Sequence, residues 1–306
     1  MSQRYHLFLW KFKKGEMNMS FLSSKSFIFN GVNSEDFNVV IAWIDQDEPD
    51  VASNGLTREV KKSETNKRKI KENIYGTEST EPIIFKIGLV RIDGTEITRD
   101  ESMKINAWLT SSPLPQLLKF NDADSCMLHY YAVCTEIKDT LVGSRLVGKE
   151  LVFTTNSCFA FMQNFEKSFD ITGEQTFYLN NLADTYDGIY YPTITITTQS
   201  QNIVIENITD RKSVTIDTTN IIADSEGNKT IVLNCSDMIV LDGNNKLIPI
   251  SNLGWGEDYK SYVSSTNEYM NNIYWFRLLQ WMNEIKVTGD CILKIECEYP
   301  RKAGCL

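Results

Sequence analysis

The sequence is poor in the residues that most often carry catalysis or metal binding. Histidine occurs only twice in 306 residues, as His6 and His129. Most zinc centres and histidine-based triads need more imidazole groups, or a better placed set, than this chain offers. Cys126 and His129 have the spacing of two metal ligands, but no second closely spaced pair completes a four-ligand site. We therefore expect no catalytic residue, no metal and no cofactor, and we expect that the protein is not an enzyme.

Long apolar runs and a secretory leader are also missing. No run of about eighteen apolar residues occurs, so we expect no membrane span. The seven cysteines are odd in number and scattered, which favours free thiols in a reducing compartment. The apolar patch Leu7–Trp10 is too short for a signal sequence. The codons of residues 14–16 are compatible with a ribosome-binding sequence before Met19, so we expect residues 1–18 to be a non-native leader or a disordered arm.

Two motifs that suggest enzymatic chemistry are incomplete. Residues 143–149 match the first seven positions of a phosphate-binding P-loop, but Glu150 stands where the motif needs serine or threonine. Asp122 and Asp124 could form the carboxylate pair of a glycosidase, yet turns collect acidic residues and sequence spacing does not fix their separation. Neither nucleotide binding nor glycoside hydrolysis is favoured.

Most of the chain has the alternating pattern of β-strands. Ile83, Phe85, Ile87 and Leu89 alternate with more polar residues, and the second half consists of short alternating segments separated by turns. The apolar segment 274–282 fits either a helix or a buried strand, and we favour a strand. The pattern predicts a mainly β protein: an α+β first domain at 19–163, a β-sandwich with one helix, and a β-sandwich or jelly-roll domain at 164–306.

One helix interrupts this pattern. Thr98 and Glu101 have the spacing of a capping box, and Pro113 cannot continue a helix. Between them Ile105, Trp108 and Leu109 fall on one helical face, which we expect to pack in the core of the first domain.

Charge is distributed unevenly. Residues 1–163 carry 20 basic and 21 acidic residues, whereas residues 164–306 carry 11 basic and 19 acidic residues. Within the first domain, residues 45–77 are long and polar enough to form an arm. Their basic stretch is either a solvated hairpin arm or a contact for an anion or nucleic acid, although no aromatic residues alternate with the charges to stack on bases. The basic residues are Arg58, Lys61, Lys62, Lys67, Arg68, Lys69 and Lys71.

Several segments, in order, resemble the distal tail (Dit) proteins of long-tailed phages. The resemblance lies in FIFNGVNSEDFNVVI, LTREVKKSETNKRKIKENIYGT and ITRDESMKINAWLTSSPLPQLLKF of the first half. It continues through GKELVFTTNSCFAF, IYYPTITI and VTGDCILKIECEYPRKAG, so it covers nearly the whole chain from Ser26 onward.

The resemblance implies a structural role at the tail tip of a siphophage virion. The first domain would be a belt that closes into a homohexameric ring, and the second a galectin-like sandwich outside it. Such a ring joins the major tail tube protein to a tail-associated hub protein, and DNA passes through its lumen only as cargo. Receptor-binding proteins often dock on the outer domain. Assembly would take place in the bacterial host cytoplasm, without a membrane partner.

Two hypotheses about residues accompany this reading. We expect the basic stretch from Arg58 to Lys71 to make the contact between ring subunits. The alternative function is carbohydrate binding, in which the second domain attaches to cell-wall glycan through Trp255. Trp275 and Trp281 are further candidates for stacking on sugar rings, although tryptophans in a sandwich are more often buried.

Overall fold

The structure is a computed structural model, which describes residues 25–44, 59–62, 74–78, 81–121, 127–162, 164–185, 187–249, 253 and 274–302. The expected leader, most of the basic arm and Trp255 lie outside these residues. No helix in the described part of the chain combines the length and the apolar character that a membrane crossing needs.

Antiparallel strands of the first half form one nine-stranded sheet. The strands occur in the order β2-β1-β7-β8-β9-β6-β3, and β10 and β20 join it beside β8. The strands of this half are β1 (Phe27–Phe29), β2 (Val32–Asn33), β3 (Val39–Ile44), β4 (Glu59–Lys62), β5 (Ile74–Glu78), β6 (Ile84–Arg91), β7 (Gln116–Phe120), β8 (Leu128–Val142), β9 (Arg145–Thr155) and β10 (Ala160–Met162).

The one α-helix in the described part of the chain, α1 (Arg99–Leu109), packs on this sheet and begins at the predicted capping box. The Glu101 amide donates to the Thr98 hydroxyl, and the Thr98 amide donates to the Glu101 carboxylate at 2.8 Å. Ile105, Trp108 and Leu109 are all buried in the first core. The indole Nε1 of Trp108 donates to the carbonyl oxygen of Phe29 at 2.9 Å, which fixes the helix to β1.

The strands β4 and β5 pair only with each other in the described part of the chain. They form a two-stranded antiparallel ladder from Glu59 opposite Glu78 to Lys62 opposite Ile74. This ladder lies within residues 45–77, the segment that the sequence indicates as an arm.

The second half forms two further sheets around a separate core. One sheet has the order β11-β19-β13-β16-β17 and the other the order β12-β18-β14-β15. Their strands are β11 (Phe165–Ile171), β12 (Glu174–Asn181), β13 (Thr193–Thr198), β14 (Asn202–Asn207), β15 (Lys212–Asp217), β16 (Lys229–Asn234), β17 (Ile239–Asp242), β18 (Trp281–Thr288), β19 (Cys291–Cys297) and β20 (Pro300–Arg301).

Alternation in these strands places one side of each sheet in the core between them. In β19 the odd-numbered residues from Cys291 to Cys297 are buried, while Ile292, Lys294 and Glu296 are exposed or half-buried. The segment 274–282 is a strand only from Trp281 onward. Before it, Leu278 makes an isolated bridge to Tyr190. Trp275 and Phe276 are buried in the second core.

The end of the chain returns to the first sheet. Ala160 and Phe161 of β10 pair with Arg301 and Pro300 of β20 on one side. On the other side, Phe161 and Met162 pair with β8. Met162 also packs against the second core. The division at residues 163 and 164 stays a prediction, and the structure adds that β20 crosses back over it.

Candidate functional site

The junction between the two cores contains a cleft of about 950 Å³. It lies between strands β7, β8 and β10 on one side and β13, β16 and β19 on the other. Its wall is mixed, with tyrosine and phenylalanine rings beside carboxylates and amides. Residues that line it include Lys119, His129, Tyr131, Phe161, Tyr190, Tyr191, Asn234, Asp237, Glu296 and Glu298.

A cluster of three polar side chains joins β8 to the chain just after β19. His129 Nε2 lies 2.5 Å from Glu298 Oε1, and the hydroxyl of Tyr131 donates to the same oxygen at 2.7 Å. His129 and Tyr131 alternate on β8 and reach one face, as residues two apart in a strand do. The side chain of His129 is 8% exposed and that of Glu298 is 34% exposed, so the carboxylate is the solvent-exposed end of the cluster.

Burial and hydrogen bonding act in opposite directions on Glu298. Partial burial alone would raise the pKa of its carboxyl group, but the hydrogen bonds from His129 and Tyr131 and the charge of His129 lower that pKa below its ordinary value. The pKa of Tyr131 is raised to about 12, first by burial and then by the hydrogen bond to Glu298. Glu298 is therefore ionised and Tyr131 protonated at neutral pH, so the cluster holds a charge-assisted hydrogen bond.

Further contacts fix the second core beside this cluster. The backbone amide of Glu298 donates to the hydroxyl of Tyr190 at 2.8 Å. Arg301 Nε donates to Asp184 Oδ2 at 2.9 Å, and the amide of Met162 donates to the carbonyl of Tyr299 at 2.9 Å. The bond from Met162 to Tyr299 links β10 to the second half of the chain, while the bonds of Glu298 and Arg301 join segments of the second half at the same junction.

The arrangement resembles a structural clamp more than a reaction centre. Tyr131 is held protonated, and among the residues that the structure describes no serine or cysteine side chain is hydrogen-bonded to His129. Burial raises the pKa of the Cys134 thiol to about 11 and that of Cys235 to about 12, which keeps both thiols protonated. Among the described residues, no group of three or more His, Cys, Asp or Glu is placed to hold a metal ion.

The structure reaches only part of the predicted ring-contact set. Lys61 and Lys62 lie on β4, where the side chain of Lys61 is exposed. Arg58, Lys67, Arg68, Lys69 and Lys71 lie outside the described residues, as does the candidate glycan contact Trp255.

The P-loop-like stretch has a structural explanation. Residues 143–144 are the turn between β8 and β9, and residues 145–150 belong to β9. Gly148 pairs with Val90 in the ladder between β9 and β6, and a Cβ there would lie 2.6 Å from the carbonyl oxygen of Leu89. Close backbone approach, not phosphate binding, accounts for this glycine.

Sequence reasoning missed the contact of His129 with Glu298. The two residues are 169 positions apart in sequence and belong to different predicted domains. The available signal was the position of Glu298 between Cys297 and Tyr299, two core residues, directly after β19. Nothing local indicated its partner.

Comparison with known proteins finds a family match over part of the chain and a similar fold over most of it. Residues 22–157 match the family model described as phage tail protein N-terminal domain. No curated protein matches the sequence. The solved structure of the phage SPP1 Dit protein, described as a hub adsorption apparatus in phages that infect Gram-positive bacteria, has a TM-score of 0.56 at 10% identity over 90% of this chain and 98% of that chain.

The activated phage P2 baseplate with Ca gives a TM-score of 0.45 at 8% identity, over 90% of this chain and 98% of that chain. At these identities the similarity to SPP1 Dit concerns the fold. By sequence, residues 22–157 match the model of the phage tail protein N-terminal domain, and over 90% of the chain the fold is similar to that of the SPP1 Dit protein.

Proposed function

We propose that this chain is a structural component of the distal tail, a baseplate hub protein without enzymatic activity. The observation that carries the proposal is the combination of a phage tail family match at 22–157 with a Dit-like fold over 90% of the chain. Either alone is weaker, because a fold hosts many functions and the family model covers only the first domain.

In this proposal the first domain closes side by side into a homohexameric ring. Head-to-tail contacts close into a ring when the rotation between subunits permits it. The paired strands β4 and β5 support an arm that reaches a neighbour, since they pair with no other strand in the described part of the chain. The net charge of +4 at residues 58–72, from seven basic and three acidic side chains, suits an acidic surface on the next subunit.

The proposed partners follow from a place at the virion tail tip. One face of the ring joins the major tail tube protein, the other joins the tail-associated hub protein, and DNA passes through the lumen. The second domain, outside the ring, offers a platform for receptor-binding proteins. Assembly takes place in the cytoplasm of the bacterial host.

Charge reversal in the arm tests the ring. The triple variant Lys67→Glu, Arg68→Glu, Lys69→Glu is expected to lower the mass found by size-exclusion chromatography with light scattering from six times 35.1 kDa to that of smaller species. The matched control reverses three exposed charges of the second domain, Arg211, Lys212 and Lys246. The control should leave the ring intact, with six-fold particles in negative-stain microscopy.

Two outcomes distinguish the parts of this proposal. A wild-type chain that stays monomeric at high concentration overturns the ring. If the wild-type chain forms a ring, and both the arm variant and the control variant also form it, only the role of the arm is overturned.

A further inference from the structure

Trp281 is exposed in a backbone conformation that large residues avoid. Its side chain is 70% exposed, and its φ is +73°, in the left-handed region. A bulky non-glycine residue in this region is an outlier that persists only where its surroundings impose it. Residues Asn283, Ile285 and Val287 of the same strand face the core. By alternation Trp281 should also face the core, but its side chain is exposed, and its left-handed backbone accompanies this exposure.

A buried asparagine imposes this conformation. The Nδ2 group of Asn283, which is fully buried, donates to the carbonyl of Leu279 at 2.8 Å and to the carbonyl of Trp281 at 3.0 Å. Its Oδ1 accepts from the amide of Leu279 at 2.8 Å and from Nδ2 of Asn207, also fully buried, at 3.1 Å. The buried Asn283 amide thus bonds the backbone of Leu279 and the carbonyl of Trp281, and these bonds fix the turn from which the indole extends.

Three more exposed apolar side chains lie on β18, on the paired strand β12 or just after it, and with Trp281 they are called the Trp281 patch. Met282 follows Trp281 and is 56% exposed. Across the ladder Asn181 pairs with Trp281 and Asn180 pairs with Met282, so the end of β12 lies beside them. Tyr178 on β12 is 59% exposed, and Leu182 just after β12 is 39% exposed.

The patch borders an open sheet edge. In the described part of the chain β12 pairs only with β18, which leaves one side of this eight-residue strand without a ladder partner, and near its end the carbonyl of Asn180 accepts from the hydroxyl of Tyr299 at 2.9 Å. Its outward residues are Glu174, Thr176, Tyr178 and Asn180, and it contains neither proline nor lysine, the residues that commonly protect an edge.

The surface beside the patch is acidic. Across the same outer face, Glu284 lies opposite Tyr178 and Glu206 lies opposite Lys286. Lys286 forms its ion pair with Glu174 at 2.9 Å. These three carboxylates and one ammonium group leave an excess of negative charge, in keeping with the 19 acidic and 11 basic residues of the second half.

We propose that the Trp281 patch docks an extended segment of another protein, which adds a strand to the free edge of β12. Because Tyr178, Met282 and the carboxylates share one outer face, the segment would carry both its apolar residues, which cover Trp281, Tyr178 and Met282, and its lysine or arginine residues at the alternate positions that point to that face. Strand addition supplies affinity through the backbone, and alternate side chains supply specificity. The inference deepens the proposed role of the second domain as a docking platform.

The composition of the patch favours a protein over a sugar. Tryptophan, tyrosine and methionine are enriched at protein interfaces, and aliphatic groups such as those of Met282 and Leu182 offer a saccharide no hydrogen bond. Stacking of an aromatic side chain on a sugar ring does not use a free backbone edge, whereas an incoming strand needs one for its hydrogen bonds.

The test selects displayed random twelve-residue peptides on the full-length protein and then measures the affinity of the enriched sequences by calorimetry. We expect peptides in which apolar and basic residues together occupy every second position, so that both kinds lie on one face of the added strand. Trp281→Ala should weaken their binding at least ten-fold. The matched control is Ile222→Ala, which removes a 91% exposed apolar residue at the opposite end of the same sheet and should change nothing.

Two further measurements separate strand addition from side-chain contact alone. N-methylation of the peptide at alternate backbone amides should abolish binding when the methylated amides face β12 and spare it in the other register. Far-UV circular dichroism checks that Trp281→Ala keeps the fold.

Several results would overturn the proposal. These are failure to enrich any peptide, enrichment without alternation, binding that survives Trp281→Ala, and equal tolerance of both methylation registers. Binding of chitotetraose or maltotetraose that depends on Trp281, in the absence of peptide binding, assigns the patch to saccharides instead. Because ring mass is measured separately, loss of peptide binding with an intact ring refutes this inference and leaves the proposed ring unaffected.

Discussion

Replacing Trp108 with phenylalanine tests how α1 is attached to the first sheet. The indole is 7% exposed, stacks on Phe37 with a centroid distance of 4.8 Å and on Phe27 at 5.5 Å, and donates to the carbonyl of Phe29. Phenylalanine retains an aromatic ring but has no donor. The substitution therefore removes one buried hydrogen bond and part of the stacked surface.

The magnitude follows from these two losses. A buried carbonyl deprived of its donor costs about 1–3 kcal/mol, and the void left by the smaller ring adds about 1 kcal/mol. We expect Trp108→Phe to lower the free energy of unfolding by about 2–4 kcal/mol. Trp108→Ala should lower it by about 3–5 kcal/mol or more, because the whole ring is lost.

The assay is urea unfolding followed by far-UV circular dichroism, which does not depend on tryptophan emission. Trp281→Phe is the matched control, since it makes the same chemical change at a side chain that is 70% exposed, and it should alter stability by less than about 0.5 kcal/mol. Equal effects of Trp108→Phe and Trp281→Phe would refute the assignment of Trp108 to the core. A Trp108 variant of normal stability that fails to form rings would instead place the indole at a subunit boundary.

Two further predictions concern the junction and one hairpin. Because the pKa of Glu298 is lowered in the folded state, its contacts stabilise that state at pH values above the unfolded pKa of about 4.3 and lose this effect as the pH falls through the folded pKa. Glu298→Gln should therefore be less stable than wild type at pH 7. In urea titrations the difference in stability should shrink by pH 3.5. A difference that is unchanged by acid would contradict this. Gly289 has a φ of +113°, and a Cβ there would lie 2.7 Å from the carbonyl oxygen of Asn202, so Gly289→Ala should lower the free energy of unfolding by about 2 kcal/mol or more. Gly173 has a φ of +71° and open space around it, so Gly173→Ala should lower the free energy of unfolding by about 1 kcal/mol. Similar thermal shifts for the two glycine variants would show that the clash is relieved.

The sequence predicts the local elements of this protein well because their causes are local. The capping box of α1 lies within four residues, and the structure confirms it. Ile83, Phe85, Ile87 and Leu89 are all buried, as their alternation predicts, and Cys291–Cys297 is one of the short alternating segments of the second half. Each such strand has one face in the core and one outside, so period-two alternation reports it directly.

Long-range pairing leaves no comparable signal. No local pattern shows that β9 lies between β8 and β6, or that β13 lies between β19 and β16. The segment before Trp281 is apolar on all sides because Trp275, Phe276 and Leu278 are buried without forming a strand, so periodicity could not assign it. The exposure of Trp281 depends on a left-handed backbone held by Asn283, and sequence reasoning could only name it among three candidate tryptophans.

The return of β20 to the first sheet bears on how the two domains move. A chain that crosses between domains once leaves their orientation free unless the interface is large. Here the chain crosses near residue 163 and again before Pro300, and the two crossing segments are hydrogen-bonded to each other as β10 and β20. The bonds of Glu298 to His129 and of Arg301 to Asp184 lie at the same place. A force on the second domain, including one applied at the Trp281 patch, therefore passes to β8 through several short bonds in parallel. Loss of the Glu298 carboxylate should widen the range of domain orientations before it unfolds either core.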